Sequence, residues 1–132
     1  MSVKRNIICI LLAVVMIIGS IASIRSIQSI VRSSKNEIET ASHAYREGNN
    51  EDCANILIYG ESVWLQHKVF LGAVLSHEEI NDVIQGFSEL IILSQFEEDS
   101  EFFSRSAALL ATLDQILDTE CPRLSNILCH MS

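Results

Sequence analysis

Residues 7–24 read IICILLAVVMIIGSIASI, eighteen positions without a charge. As a helix rising 1.5 Å per residue, such a run is roughly 27 Å long, enough to cross a hydrocarbon layer about 30 Å thick. Lys4 and Arg5 stand before it, as they do in an uncleaved signal anchor and in a cleavable signal peptide. For cleavage, the densest stretch, Ile7–Ile18, is short, and Gly19-Ser20-Ile21-Ala22 offers small residues ahead of Ser23. For an anchor, Ile21, Ile24, Ile27 and Ile30 carry a helical pattern straight through that point. The anchor is the preferred reading, and secretion after cleavage is the alternative. Cys9 lies inside the run, so no cysteine occupies a lipoprotein-like position. The early span and its basic start favour a cytoplasmic amino terminus with the bulk of the chain outside, although Arg25, Arg32 and Lys35 follow the run.

Outward from the run, Ile24, Ile27, Val31, Ser34, Ile38, Ala41 and Tyr45 alternate spacings of three and four. That is one stripe of the same helix continuing past the membrane. The stripe fits either a homodimeric coiled coil or packing on the chain's own domain. Three heptads with a serine in the seam favour the second. Gly48-Asn49-Asn50 ends the helix with residues that tolerate left-handed backbone. A second helix is predicted from Glu51 to Leu75, its apolar stripe formed by Cys53, Ile56, Leu57, Val63, Trp64, Phe70, Leu71, Val74 and Leu75. Gly60 interrupts it and suits a close crossing or a bend. Ser76-His77-Glu78-Glu79 reads as a capping box, so the next helix follows at once. It is predicted to run from His77 to Phe96 with Ile80, Val83, Ile84, Phe87, Leu90 and Ile91 inward. A fourth, Glu101 to Thr119, places Phe103, Ala107, Leu110, Leu113 and Leu117 inward and stops at Cys121-Pro122. A further turn through Leu124, Ile127 and Leu128 follows.

The expected fold is therefore all-α. Residues 1–24 form a basic start and a membrane helix, and residues 25–132 an antiparallel bundle of about four helices. Its expected core is Trp64, Phe70, Ile80, Ile84, Phe87, Leu110 and Leu113. With 5 Gly and 1 Pro in 132 residues, collagen-like and turn-rich all-β chains are excluded. Around Ala41 to Ala54 the residues Tyr45, Gly48 and Ala54 resemble a tetratricopeptide turn, but no copy follows at the 34-residue period, which leaves an ordinary helical hairpin.

Chemistry-bearing motifs are sparse. His77-Glu78 opens like the zinc-protease motif H-E-x-x-H, but Asn81 stands where the second histidine belongs. No histidine has a glutamate three residues before it, as a ferritin-like di-iron site requires. Cys53, Cys121 and Cys129 are an odd number outside the span and define no disulfide framework. No phosphate loop, nucleophile elbow or dinucleotide fingerprint is present. No catalytic residue, metal site or cofactor is expected. The sole candidate constellation is a polar-aromatic cluster. Trp64 and His67 lie one turn apart, and the helix junction brings His77, Glu78 and Asp82 within reach. The bland reading is a structural pin; the functional one is a ligand- or cation-responsive sensor.

Charge is the most uneven property. The net value is −8, which argues against nucleic acid as a partner. From Ser76 to Glu120, eleven acidic residues meet one basic residue, Arg105. A solvated outer face explains this, and so does docking to a basic protein partner. No EF-hand spacing marks a calcium loop. The expected role is a non-enzymatic, membrane-tethered interaction module, with the sensor as the alternative.

Trp64 and Lys68, His77-Glu78-Glu79-Ile80 at a helix start, Pro122 and Asn126-Ile127-Leu128 together give a resemblance. With the single span and the helical remainder, the chain resembles an uncharacterised family of small membrane-anchored proteins of spore-forming Firmicutes. The resemblance implies a bacterial cell-envelope protein and carries no activity, cofactor or site residue.

Overall fold

A computed structural model describes the backbone of residues 2–131 and the side chains of residues 2–118. Cys121, Pro122, Leu124, Asn126, Ile127, Leu128 and Cys129 thus have side chains outside the described residues, and so do the expectations that rest on them. The elements in chain order are α1 (Ser2–Arg46), α2 (Asn50–Gln66), α3 (Lys68–Leu71), α4 (His77–Leu93) and α5 (Asp99–Met131), with no strand among the described residues.

Helix α1 is unbroken for 45 residues. Its first part is bare: Ile7, Ile8, Ile10, Leu11, Leu12, Val15 and Ile18 are all exposed. By length and composition it is apolar enough to cross a membrane. Its second part is the reverse. Ile27, Val31, Ser34, Ile38, Ala41 and Tyr45 are buried, and α2 and α5 cover them. The stripe therefore packs on its own domain. Gly48, at φ +80°, ends the helix. Asn49 N–H donates to the Ala44 carbonyl at 2.9 Å and Gly48 N–H to that of Tyr45 at 3.1 Å. This pairing satisfies carbonyls that a helix end leaves free.

The long helices close a ring: α1 packs on α2 and α5, and α4 packs on both of those. Named pairs fix the register. Trp64 and Gly60 of α2 meet Ser34 and Glu37 of α1. Gly60 also meets Phe87 of α4, and Ser88 Oγ donates to Glu61 at 2.9 Å. Gly86 of α4 lies against Leu109 of α5, and Arg105 pairs with Glu89 at 2.9 Å. Lys35 pairs with Asp114, and Tyr45 stacks on Phe102, between α1 and α5. The core is Ile27, Leu57, Trp64, Leu71, Ile80, Phe87, Leu90, Phe102, Leu113 and their neighbours.

Several boundaries differ from the sequence expectation. Helix α2 ends at Gln66 instead of Leu75. His67 is the cause: its N–H and its ring Nδ1 both reach the Val63 carbonyl, at 3.1 and 2.9 Å. The ring competes with the backbone for one acceptor, and the chain restarts as the single turn α3. Phe70 is consequently 37% exposed and is no core residue. Helix α4 stops at Leu93, short of Phe96. Ser94 Oγ donates to Ile91 at 2.6 Å, and tight bonds from Gln95 to Ile92 and Phe96 to Leu93 close the turn. Helix α5 begins at Asp99 and its backbone continues past the Cys121-Pro122 pair to Met131, against the helix-stopping tendency of an interior proline. Its buried face is Phe102, Ser106, Leu109, Leu113 and Ile116, rotated from the predicted stripe. Phe103, Leu110 and Leu117 are half-buried and Ala107 is exposed. Ile84 is also half-buried.

Gly60 marks the closest crossing. A Cβ there would stand 2.6 Å from Phe87 Cε1 and 2.8 Å from Glu37 Oε2. The ring is fully buried and has no room to retreat. Gly60→Ala should therefore destabilise by about 1–3 kcal/mol, despite alanine's better helix propensity of about 1 kcal/mol. Thermal melting followed by circular dichroism checks this; an unchanged or raised midpoint contradicts the tight crossing.

Candidate functional site

The five residues of the expected polar-aromatic cluster lie in different surroundings. Trp64 is fully buried, and its indole N–H donates to Ser34 Oγ at 2.7 Å. Ser34 in turn donates to the Ile30 carbonyl at 2.9 Å. His67 is exposed and turned back on its own helix. His77, Glu78 and Asp82 are exposed on the first turns of α4. Among the described residues, no side-chain hydrogen bond or ion pair joins any two of the five, and no group of three His, Cys, Asp or Glu side chains is arranged to hold a metal ion. Ser76 does cap α4, accepting from Glu79 N–H at 3.1 Å, so His77 and Glu78 form an ordinary capped helix start.

A different constellation lies at the far end of α1. Tyr45 is buried to 7% exposure, and its hydroxyl reaches both the Phe96 carbonyl, at 3.0 Å, and Asp99 Oδ1, at 2.9 Å. Its ring stacks on Phe102 at 4.0 Å with planes 13° apart, and Phe103 meets it edge-on at 5.6 Å. The Arg46 guanidinium sits 4.9 Å over the Phe103 ring. Burial pushes the Tyr45 hydroxyl up to about 12, and the Asp99 carboxylate that takes its hydrogen bond adds to the shift. Tyr45 is therefore a neutral clasp that ties the α1–α2 turn to the α4–α5 turn.

Those two turns gather exposed acidic side chains, of which Glu47 pairs with His43 and Glu101 with Arg105. Glu47, Glu51, Asp52, Glu97, Glu98, Asp99 and Glu101 are all exposed there. A shallow groove between the turns is lined by Asn50, Glu51, Ala54, Asn55, Ile58, Ser94 and Gln95. The same charge excess on α4 and α5 is partly spent internally, where Arg105 holds both Glu89 and Glu101. The sequence shows the acids but not that the two turns adjoin. Tyr45, at the end of its stripe, is the residue that brings them together.

Glu37 is a half-buried ionisable group of note. Its Oε2 is buried against Gly60 with no hydrogen-bond partner, and burial raises its pKa. A carboxyl raised in the folded state holds its proton more tightly there than in the unfolded chain. The contribution of Glu37 to stability is therefore most favourable at acid pH and falls as pH rises from about 4.3, the unfolded value, through the raised folded value. Glu37→Gln should raise the melting midpoint at pH 7, and the gain should shrink towards nothing below about pH 4. Equal midpoints at pH 7 contradict the buried, unsatisfied carboxylate.

Comparison with protein-family models, with curated proteins and with solved structures gives no match for this chain.

Proposed function

We propose that the chain is a non-enzymatic interaction module tethered to a bacterial cell membrane. The apolar run at residues 7–24 crosses the bilayer with the amino terminus in the cytoplasm. Residues 25–132 stand outside as an antiparallel four-helix bundle, α1, α2, α4 and α5. The acidic double turn at its far end is the docking surface for a basic protein. The Firmicutes family resemblance fits the same envelope setting.

One observation carries this reading: α1 is a single helix whose first part is bare and apolar and whose second part is the core of the domain. A cleavable leader has no reason to be continuous with a packed core helix. From Ile24 to Arg46 the helix climbs roughly 33 Å. That distance sets the acidic turns well clear of the lipid headgroups, where a soluble or membrane-bound partner can reach them. Charge complementarity at such a tip would speed encounter and select the partner's sign more than it would add affinity.

The topology test is alkaline carbonate extraction followed by protease treatment of intact protoplasts. The protein should stay with the membranes, and external protease should remove the bundle. A mature chain beginning at Ser23 would sink the anchor. The docking test is crosslinking of the full-length protein in native membranes, comparing wild type with a Glu97→Gln/Glu98→Gln variant. Asp99 is left intact because it holds Tyr45. A discrete crosslinked species that weakens in the variant supports the tip; one that is unaffected points the docking elsewhere.

A further inference from the structure

The opposite end of the bundle carries a feature that the tether alone does not explain. The last turn of α2 and helix α3 expose apolar side chains where a soluble surface would place polar ones. Val69 is 92% exposed, Phe70 37% and Leu65 49%. They lie together on the last turn of α2 and on α3. Lys68 and His67, both exposed, are interleaved with them.

Their height relative to the membrane follows from α1. Phe70 and His67 line one cavity with Arg25, Ser26, Ser29 and Ile30. Arg25 is the first residue after the apolar run. Ser29 and Ile30 lie five and six residues past Ile24, a climb of less than about 9 Å. The headgroup layer on each side of the hydrocarbon is about 5–8 Å thick. The exposed apolar turn is thus fixed at headgroup depth by a helix that has no break at this point. Arg25 and Lys68 stand beside this turn, with the exposed acids Glu78 and Asp82 a turn further on at the start of α4. Basic side chains can extend to lipid phosphates while their stems lie along apolar surface.

We propose that α3 is an interfacial foot, which seats Val69 and Phe70 in the headgroup layer while Arg25 and Lys68 engage lipid phosphates. The occupant of this apolar patch is the bilayer surface itself. The proposal rests on α1 crossing the membrane. The foot gives the domain a second attachment beside α1, so the bundle is held at two points and not one.

The test uses the full chain with one added tryptophan, reconstituted in vesicles of phosphatidylethanolamine and phosphatidylglycerol. Some vesicles carry lipid brominated on the acyl chain just below the ester. Three variants are compared: Val69→Trp on α3, Tyr59→Trp on the exposed face of α2 nearer the tip, and Leu12→Trp within the span. Tyr59 is 62% exposed, Leu12 60% and Val69 92%, so none of the three substitutions disturbs the core. Circular dichroism confirms that each variant keeps its helix content. The added emission of Val69→Trp should be blue-shifted and should lose about half its intensity to the brominated lipid, while that of Tyr59→Trp stays unquenched. Quenching of Leu12→Trp without quenching of Val69→Trp overturns the foot and leaves the span standing. Equal quenching at positions 59 and 69 also overturns it, because the domain would then lie flat. No quenching of Leu12→Trp removes the membrane reading and the foot together.

Discussion

Replacing Phe87 with alanine is expected to lower the unfolding free energy by about 3–5 kcal/mol. Phe87 is fully buried, and its ring edge fills the space left by Gly60 of α2. Truncation removes the ring's transfer free energy and leaves a cavity between α2 and α4, which packed backbones on both sides prevent from closing. A small domain has a total stability of about 5–15 kcal/mol, so the loss is a large share of it. Urea unfolding of the full chain in detergent micelles, followed by Trp64 emission, measures the change; Trp64 is the chain's one tryptophan and is buried. A loss below about 1 kcal/mol would mean that Phe87 does not pack as described. The Gly60 contact adds a sharper check. Once the ring is gone, a methyl group at position 60 meets only the Glu37 carboxylate, the end of a flexible side chain, so Gly60→Ala should cost far less in the Phe87→Ala background than alone. Additive losses would show that the two sites do not touch.

Trp64→Ala should be comparably damaging, again about 3–5 kcal/mol, because the largest side chain in the core disappears. Its hydrogen bond can be separated from its bulk. Trp64→Phe keeps most of the packing but takes the donor from Ser34, and should cost about 1–3 kcal/mol. Ser34→Ala leaves the buried indole N–H without an acceptor, at a similar cost. Combined, the two changes should cost clearly less than their separate losses, since the second removes a group the first has already orphaned. Circular dichroism must follow unfolding here, as the fluorophore is gone. Strict additivity would mean that the 2.7 Å contact contributes nothing.

The α1 stripe was legible because each inward position, Ile27, Val31, Ser34, Ile38, Ala41 and Tyr45, repeats one spacing without competition. Even Ser34, which looks like a flaw in a hydrophobic seam, has its reason in Trp64. The phase of α5 was not legible. Its sequence offers doublets, Phe102-Phe103, Leu109-Leu110 and Ile116-Leu117, and either member of each can face inward. Long-range packing chooses: Tyr45 takes Phe102, and the space above Gly86 takes Leu109. That choice draws Ser106 inward and leaves Ala107 outside, against hydrophobicity. The end of α2 was hidden for a local reason, since no pattern announces that the His67 ring will turn back on Val63. The hydrogen bond that Trp64 makes was hidden for a related one: its partner lies thirty positions earlier on another helix, beyond the reach of spacing arguments.

The unbroken course of α1 has a mechanical consequence. Between Ser20 and Arg46 it holds neither glycine nor proline, so nothing there serves as a hinge. With its apolar run in a bilayer, the helix acts as a mast. A bilayer thinner than the run is long tilts the whole mast instead of bending it, and an ordinary tilt of about 20° swings the acidic end sideways by about 11 Å. Thickness, a property of the lipid mixture, is thereby converted into lateral displacement of the acidic end.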